Sequence, residues 1–223
     1  MLTRSDPVLK LENATVGYNG EAVLKNLSLE IKPGEKIALV GQSGAGKSTL
    51  LNLLYQQVDE DAALVPQDLG LVRSLSVFHN VFMGRLNRHP TWYNIANLLK
   101  PLKKEVDQIS PILGQLGLEE KIFEPIRELS GGQQQRTAVA RAIFKDSSIF
   151  FGDEPVSAVD EHQSHTVLQA IAISHQTVVL SMHDVDLALR YTDRVIGLRL
   201  GDLVLDQPTA TIRAADLDDL YKH

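Results

Sequence analysis

The chain has 223 residues, of which 43% are hydrophobic and 22% charged, and its formal net charge is -6 at pH 7. This composition predicts a folded chain with a sizeable core. The acidic balance argues against nucleic acid as a partner, because a phosphate backbone is bound by a concentrated basic surface. Cysteine is absent, which excludes disulfides, thiolate nucleophiles and zinc–sulfur sites. No apolar stretch approaches the roughly 18–20 residues of a membrane-spanning helix, and we expect no signal peptide.

The N-terminal part of the chain predicts strands. Residues 8–11 and 23–31 alternate apolar with polar side chains, and residues 32–35 read as a turn. A short apolar run at 37–40 predicts a buried strand, and a second apolar run at 50–54 predicts a helix.

Between that strand and that helix lies a glycine-rich segment that predicts a phosphate-binding loop. Glycines let successive backbone N–H groups curl around phosphate oxygens, and the positive end of the new helix points at the same anion. The lysine can reach the β- and γ-phosphates, and the serine hydroxyl after it can ligate Mg²⁺. A Gly/Ser-rich turn that merely carries a lysine is the alternative, which the strand before it and the helix after it disfavour. The loop consists of Gly41, Gln42, Ser43, Gly44, Ala45, Gly46, Lys47, Ser48 and Thr49.

The remaining pattern alternates helices and strands. We predict a helix to about residue 57, a short strand at 63–65, and a mainly helical stretch at 76–116 broken at 89–90 and 101. A helix to residue 144, a strand at 148–151, a helix at 161–173 and a strand at 177–181 follow. The tail predicts two strands within 194–205 and a short acidic helix at 216–220. This order implies a parallel sheet with packed helices, interrupted by an inserted helical part.

Two further segments carry chemistry. The strand that ends at Asp153 and Glu154 would place one carboxylate on Mg²⁺ and the next beside a water that attacks the γ-phosphate. An ordinary acidic turn is the alternative, which the phosphate loop upstream makes less favoured. Leu129 precedes a small turn formed by Ser130, Gly131, Gly132 and Gln133. That turn is either a second anion site at a helix N-terminus or an ordinary capping box, and both can hold at once.

The motif L-S-G-G-Q, followed by the Asp153–Glu154 strand, resembles the ATP-binding cassette (ABC) ATPases, and the resemblance covers nearly the whole chain. It implies that Tyr18 stacks on adenine and that Gln67 is the lid glutamine, which senses Mg²⁺ and the attacking water. It also implies that residues 157–160, ending at Asp160, form the dimer-contact loop and that His183 is the switch histidine. The expected fold is an α/β P-loop NTPase: a mainly parallel sheet, a small trimmed antiparallel β-subdomain and an inserted α-helical subdomain.

The resemblance further implies one ABC ATPase domain over residues 1–223, with its helical subdomain at approximately 70–130. Two copies would face each other head to tail, with ATP between the Lys47 loop of one and the Ser130 turn of the other. Glu154 would be the general base, supported by His183. Mg²⁺ would be held by Ser48, Gln67 and Asp153.

Segments at 71–77, 80–86, 185–191 and 195–199, together with Trp92, look like the phosphonate-import ATP-binding subfamily. The partners implied are an integral membrane permease and, indirectly, a substrate-binding protein, at the cytoplasmic face of the inner membrane. Lys47 and Gln67 lie only 20 positions apart, which predicts the trimmed β-subdomain. The alternatives are an exporter or an importer of another substrate and, less favoured, a soluble ABC ATPase acting on nucleic acid or ribosomes. The soluble alternative is less favoured because the segment 67–129 is short and has no heptads, and because the chain has only one set of these motifs.

Overall fold

The structure is a computed structural model that describes residues 8–18, 21–58 and 62–221; the side chains of residues 18, 21, 218 and 219 are outside this description. The chain divides into two compact units. The first comprises Met1–Leu64, Ser148–Glu154 and Gln176–His223, and the second comprises Val65–Ser147 and Pro155–His175. Within the described residues, no helix is both long and apolar enough to cross a membrane.

Two sheets are present among the described residues. Strands β1 (Leu9–Tyr18) and β2 (Glu21–Ile31) form an antiparallel pair. The second sheet has six strands in the order β4-β5-β6-β3-β7-β8. Its strands are β3 (Lys36–Val40), β4 (Ala62–Val65), β5 (Ile149–Asp153), β6 (Thr177–Ser181), β7 (Arg194–Arg199) and β8 (Asp202–Pro208).

The centre of the larger sheet is parallel, and its strands are buried and rich in apolar residues. Every residue of β5 and β6 is buried, as are four of the five residues of β3, which is typical of parallel strands covered on both faces. β3 pairs in parallel with β6 and β7, and β5 pairs in parallel with β6. The carboxyl ends of β3, β5 and β6 therefore lie along one edge, where ligands bind in open α/β sheets. β8 is antiparallel and closes the sheet.

One hydrophobic core joins β1, β2 and the larger sheet of the first unit. Helix α1 (Lys47–Tyr55) buries Leu50, Leu51 and Leu54 in this core. The ring of Tyr55 packs edge-on against Phe151 of β5, with 5.7 Å between centroids. This packing holds α1 against the sheet. Helix α7 (Val185–Tyr191) also belongs to the first unit.

The second unit is helical. Its helices are α2 (Val77–Phe82), α3 (Thr91–Leu99), α4 (Lys103–Gln115), α5 (Gly131–Lys145) and α6 (Glu161–Ser174). Helix α5 packs against α2, α4 and α6. The buried side chain of Asn80 accepts a hydrogen bond from the Val72 amide at 2.8 Å and donates to the Ser76 carbonyl at 2.9 Å. These bonds hold the segment before α2 in place, and they pair the buried amide group of the Asn80 side chain.

The predicted fold class is confirmed as an α/β fold with a mixed sheet, an antiparallel pair and a helical part. One local expectation differs. Helix α7 was not predicted, and its N-cap Asp184 accepts a hydrogen bond from Leu187 N at 2.9 Å. The predicted short acidic helix at 216–220 is present as a 3₁₀ helix, Ala214–Leu220. The single-domain organisation and the limits of the helical subdomain stay predictions.

Candidate functional site

The predicted phosphate loop connects β3 to α1 in the first unit. Gly41 and Gly46 have φ angles of 139° and 104°, in the region that favours glycine. A Cβ atom at Gly41 would overlap the backbone carbonyl oxygen of Leu198, and one at Gly46 would lie 2.8 Å from the Leu24 side chain. Glycine is therefore required at both positions by the backbone angle and by the neighbouring atoms.

The side chain of Lys47 lies inside this loop. Its Nζ donates to the carbonyl oxygens of Gly41 at 2.8 Å and Gln42 at 3.0 Å, and the residue is 6% exposed. Burial lowers the pKa of Lys47, while the carboxylates of Glu154 and Asp153 act in the opposite direction. The loop thus holds the Lys47 ammonium against backbone carbonyls at the start of α1. The positive charge of Lys47 and the helix dipole both favour an anion there.

Asp153 ends β5 and is buried. Its Oδ1 has no hydrogen-bond partner within the described chain. A buried carboxylate oxygen without a donor is costly and is satisfied when it binds a cation. Ser48, which lies in the first turn of α1, offers a hydroxyl oxygen. An all-oxygen donor set of this kind fits Mg²⁺, which takes few protein ligands when it binds with a phosphate.

Glu154 and His183 form a close pair in the first unit. His183 Nε2 and Glu154 Oε1 are 2.6 Å apart, and the side chains are 48% and 22% exposed. Glu154 has a φ of 54°, and its amide donates to the Ser181 carbonyl at 3.1 Å. A left-handed backbone at a non-glycine residue stores strain that surrounding contacts must hold. The two contacts fix the direction of the Glu154 carboxylate at the carboxyl edge of the sheet.

The second predicted anion site lies in the other unit, where Ser130 caps α5. Ser130 Oγ accepts from the Gln133 amide at 3.3 Å, and Gln133 Oε1 accepts from the Ser130 amide at 2.9 Å. These two bonds are a complete capping box. The capping interpretation is therefore confirmed, and the anion-site interpretation stays a prediction.

The predicted dimer-contact loop is bonded to the same helix. The side chain of Gln135 donates to Ser157 Oγ at 3.2 Å and accepts from the Ala158 amide at 2.8 Å. Asp160 caps α6 by accepting a hydrogen bond from Gln163 N at 2.9 Å. The buried Gln135 amide thus joins the Ser130 turn and residues 157–160 into one structural element of the second unit.

Gly132 should be much less tolerant of alanine than Gly131. A Cβ at Gly132 would lie 2.8 Å from the carbonyl oxygen of Ala158, whereas one at Gly131 would lie at an ordinary 3.8 Å from the Ala158 side chain. We expect Gly132→Ala to lower the free energy of unfolding by about 1–3 kcal/mol, the usual cost of overpacking. Gly131→Ala is the matched control and should change it by less than about 0.5 kcal/mol. Urea unfolding measures both, and equal losses would contradict this packing.

Gln67 follows β4 and is exposed in the second unit. The residues after it are fixed by Arg141 of α5, whose guanidinium donates to the carbonyl oxygens of Leu69 and Gly70, each at 2.6 Å. Both carbonyls belong to residues with positive φ. Nothing in the sequence singled out Arg141, because its partners lie 71 and 72 positions away. The predicted adenine-stacking side chain, Tyr18, lies outside the described side chains.

An apolar groove opens on the second unit. Its lining residues are Leu75, His79, Phe82, Met83, Leu86, Thr91, Asn94, Ile95 and Leu98. On α3, Trp92 and Leu99 are 70% and 81% exposed. Val77 and Phe78 of α2 are fully buried.

Comparison with known proteins gives concordant results. Residues 24–157 match the family model described as ABC transporter. The chain is 36% identical over 97% of its length to the phosphonates import ATP-binding protein PhnC of Anaeromyxobacter dehalogenans, of which it spans 48%. It is 32% identical over 99% of its length to the PhnC protein of Lactobacillus gasseri, of which it spans 95%.

A solved structure described as the dimeric structure of MJ0796, a bacterial ABC transporter cassette, superposes with a TM-score of 0.77 at 26% identity and covers 91% of this chain and 99% of that one. Another structure of the same cassette, in a post-hydrolysis state bound to ADP and Pi, superposes with a TM-score of 0.74, also at 26% identity and over the same shares of the two chains. The chain therefore belongs to the ABC transporter family and carries the ATP-binding ATPase domain of that family.

Proposed function

We propose that this chain hydrolyses ATP to drive uptake of a phosphonate, or a related phosphorus oxyanion, through a separate membrane permease. The observation that carries the proposal is the edge of the larger sheet, where the Lys47 loop, buried Asp153 and the Glu154–His183 pair follow strands β3, β5 and β6. The substrate class rests on the names of relatives at 32–36% identity.

In this proposal the phosphate loop, residues 41–49, binds the ATP phosphates through backbone amides and Lys47. Lys47 leaves the carbonyls of Gly41 and Gln42 for the phosphate oxygens, which are stronger acceptors because they are charged. Ser48, Asp153 and Gln67 hold Mg²⁺, which supplies charge neutralisation at the phosphates when it is bound.

Glu154 acts as the general base for the attacking water, and His183 orients its carboxylate through the 2.6 Å contact. Gln67 lies after β4 on a segment that the Arg141 bonds fix, which suits a residue that senses nucleotide from a defined position. Tyr18 stacks on the adenine. These roles follow from the sequence resemblance and are compatible with the geometry of the described side chains.

We further propose that the working form is a head-to-tail pair of two copies. ATP bound by residues 41–49 of one copy is covered by the Ser130 turn of the other, including Gly131, Gly132 and Gln133, with Asp160 at the contact between copies. Support comes from the start of α5, where Ser130 and Gly131 are exposed, and from a relative solved as a dimer. Hydrolysis would release the pair, as phosphate contacts do in other switches.

The permease would dock on the apolar groove of the second unit. Its lining and the exposed side chains of Trp92 and Leu99 form a larger apolar surface than isolated exposed residues do. In this proposal the chain is a peripheral subunit at the cytoplasmic face of the inner membrane, with a substrate-binding protein as an indirect partner.

Co-purification tests the proposal. The tagged chain, extracted from its native cells in mild detergent, should bring a multi-spanning membrane protein at equal stoichiometry. Trp92→Ser combined with Leu99→Ser should weaken that capture, whereas Ile173→Ser, at another exposed apolar residue of the second unit, should not. Recovery of ribosomes, DNA or only soluble proteins would contradict the transport role and leave the ATPase assignment intact.

A further inference from the structure

The side chain of Gln42 links the phosphate loop to the C-terminal segment of the first unit. Its Nε2 donates to the backbone carbonyl oxygen of Tyr221 at 2.8 Å, across 179 positions of sequence. Gln42 is half-buried at this contact. Neither the phosphate loop nor the C-terminal segment needs this side-chain hydrogen bond for its own local backbone structure.

The C-terminal segment, residues 214–221, is packed against the first unit by buried side chains. Leu217 is fully buried and Leu220 is 7% exposed. Leu220 packs over Gly197 of β7, where a Cβ would lie only 2.8 Å from one of its methyl groups. The segment is therefore seated on the sheet beside the loop, and Leu220 lines a cavity of about 250 Å³ together with Gln42, Ser43 and Gly44.

Tyr221 also approaches the first residue of the loop. Its hydroxyl is buried without a hydrogen bond of standard geometry within the described chain. Burial raises the pKa of this hydroxyl, and the nearby backbone of Gly41 opposes the change. Tyr221 thus lies against Gly41 as well as Gln42.

These same two residues hold the functional cation. The carbonyl oxygens of Gly41 and Gln42 accept the hydrogen bonds of the Lys47 ammonium. Any shift of the backbone at Gly41 and Gln42 therefore moves the atoms that position Lys47 before nucleotide binds. Gln42 makes both contacts. Its side-chain amide donates a hydrogen bond to the Tyr221 carbonyl, and its backbone carbonyl accepts one from the Lys47 ammonium.

We propose that Gln42 and Tyr221 are positioning residues for ATP binding: the Gln42–Tyr221 link holds the phosphate loop in the shape that accepts phosphate. The link acts through the loop backbone and transfers no proton. This inference rests on the proposed role of the loop as the ATP site. It deepens that role by making the C-terminal segment part of the binding machinery.

The simplest contrasting explanation is that the link only anchors the segment that contains Tyr221. An anchor would change thermal stability and leave nucleotide affinity as it is. A positioning link would change affinity and KM for ATP, while turnover at saturating ATP would change little, because Glu154 and His183 are untouched.

The experiment compares the full chain with Gln42→Met, with a chain ending at Leu220, and with both changes together. Methionine keeps the length of the side chain and removes the amide. The matched control is Gln57→Ala, which removes an amide bonded to the backbone of Lys10 in the same unit, outside the loop. Affinity for a fluorescent ATP analogue, kcat, KM for ATP and the thermal unfolding midpoint are measured for each.

We expect Gln42→Met and the shortened chain each to weaken binding about three- to tenfold, the range for one neutral hydrogen bond. The double variant should be no weaker than either single variant, because both changes break the same link. Gln57→Ala should bind like the unaltered chain. Unchanged affinity and KM in Gln42→Met, or fully additive losses in the double variant, would overturn the inference.

Lys47→Ala separates this inference from the function on which it rests. If Lys47→Ala binds the analogue normally, the loop is not the ATP site and the proposed function fails. If Lys47→Ala loses binding while Gln42→Met retains it, only the positioning role fails. Should the shortened chain not fold, the KM and kcat of Gln42→Met decide the question alone.

Discussion

Glu154→Gln should lower kcat for ATP hydrolysis by about 10²- to 10⁴-fold, the contribution of a positioned general base. Glutamine keeps the size of the side chain and its contact distance to His183, but it cannot accept the proton of the attacking water. ATP binding should persist, because the phosphate loop and Asp153 are unchanged. Phosphate release under single-turnover conditions and binding of a fluorescent ATP analogue measure the two effects separately.

The same variant should accumulate as an ATP-bound dimer, visible by size-exclusion chromatography with light scattering, because hydrolysis no longer opens the pair. Glu12→Gln provides a matched control: this carboxylate on β1 is exposed and pairs only with Lys10 among the described contacts. It should hydrolyse ATP at the normal rate. Near-normal turnover in Glu154→Gln would refute the assignment of Glu154 as the base.

Lys47→Ala should weaken ATP binding by about 10- to 150-fold. The ammonium makes charge-assisted hydrogen bonds, and the loss of one such bond costs about 1.5–3 kcal/mol. Turnover should fall by at least about 100-fold, as when one preorganised donor to developing charge is removed. Equilibrium binding and phosphate release at saturating ATP provide the measurements.

Lys10→Ala is the control for this loss, because Lys10 is an exposed lysine of the same unit, paired with Glu12 and Glu30 at the surface. It should retain full binding. Lys47→Ala also removes the donor to two loop carbonyls, so circular dichroism must show that the fold is kept. Wild-type affinity in a folded Lys47→Ala protein would contradict the assignment of the phosphate loop.

Local pattern was sufficient to predict the phosphate loop and most elements. The loop can be predicted because the strand, the glycines and the helix are contiguous from β3 to α1. The Ser130 cap can be predicted because Gln133 follows at the spacing that a capping box requires. The strands β5 and β6 are continuous apolar runs, so their burial is visible in the sequence. Helix α7 was missed because seven residues give little periodicity, although Asp184 was an available N-cap signal.

Contacts between distant positions could not be predicted from the residues alone. The Glu154–His183 contact requires β5 and β6 to be neighbours in parallel register, with Asp153 opposite Ser181. The Arg141 and Gln42 bonds join positions separated by 72 and 179 residues. Each depends on tertiary packing that no short window contains, and each lies beside a segment that is predicted to bind nucleotide or to hydrolyse it.

Uptake of isotopically labelled methylphosphonate tests the central claim most directly. Cells of the source organism that lack this chain would be supplied with the unaltered chain, with Glu154→Gln or with Glu12→Gln, at equal expression. We predict that the unaltered chain and Glu12→Gln restore uptake and that Glu154→Gln does not. Uptake that proceeds without this chain, or equally well with Glu154→Gln, would contradict the claim that its ATP hydrolysis drives phosphonate import.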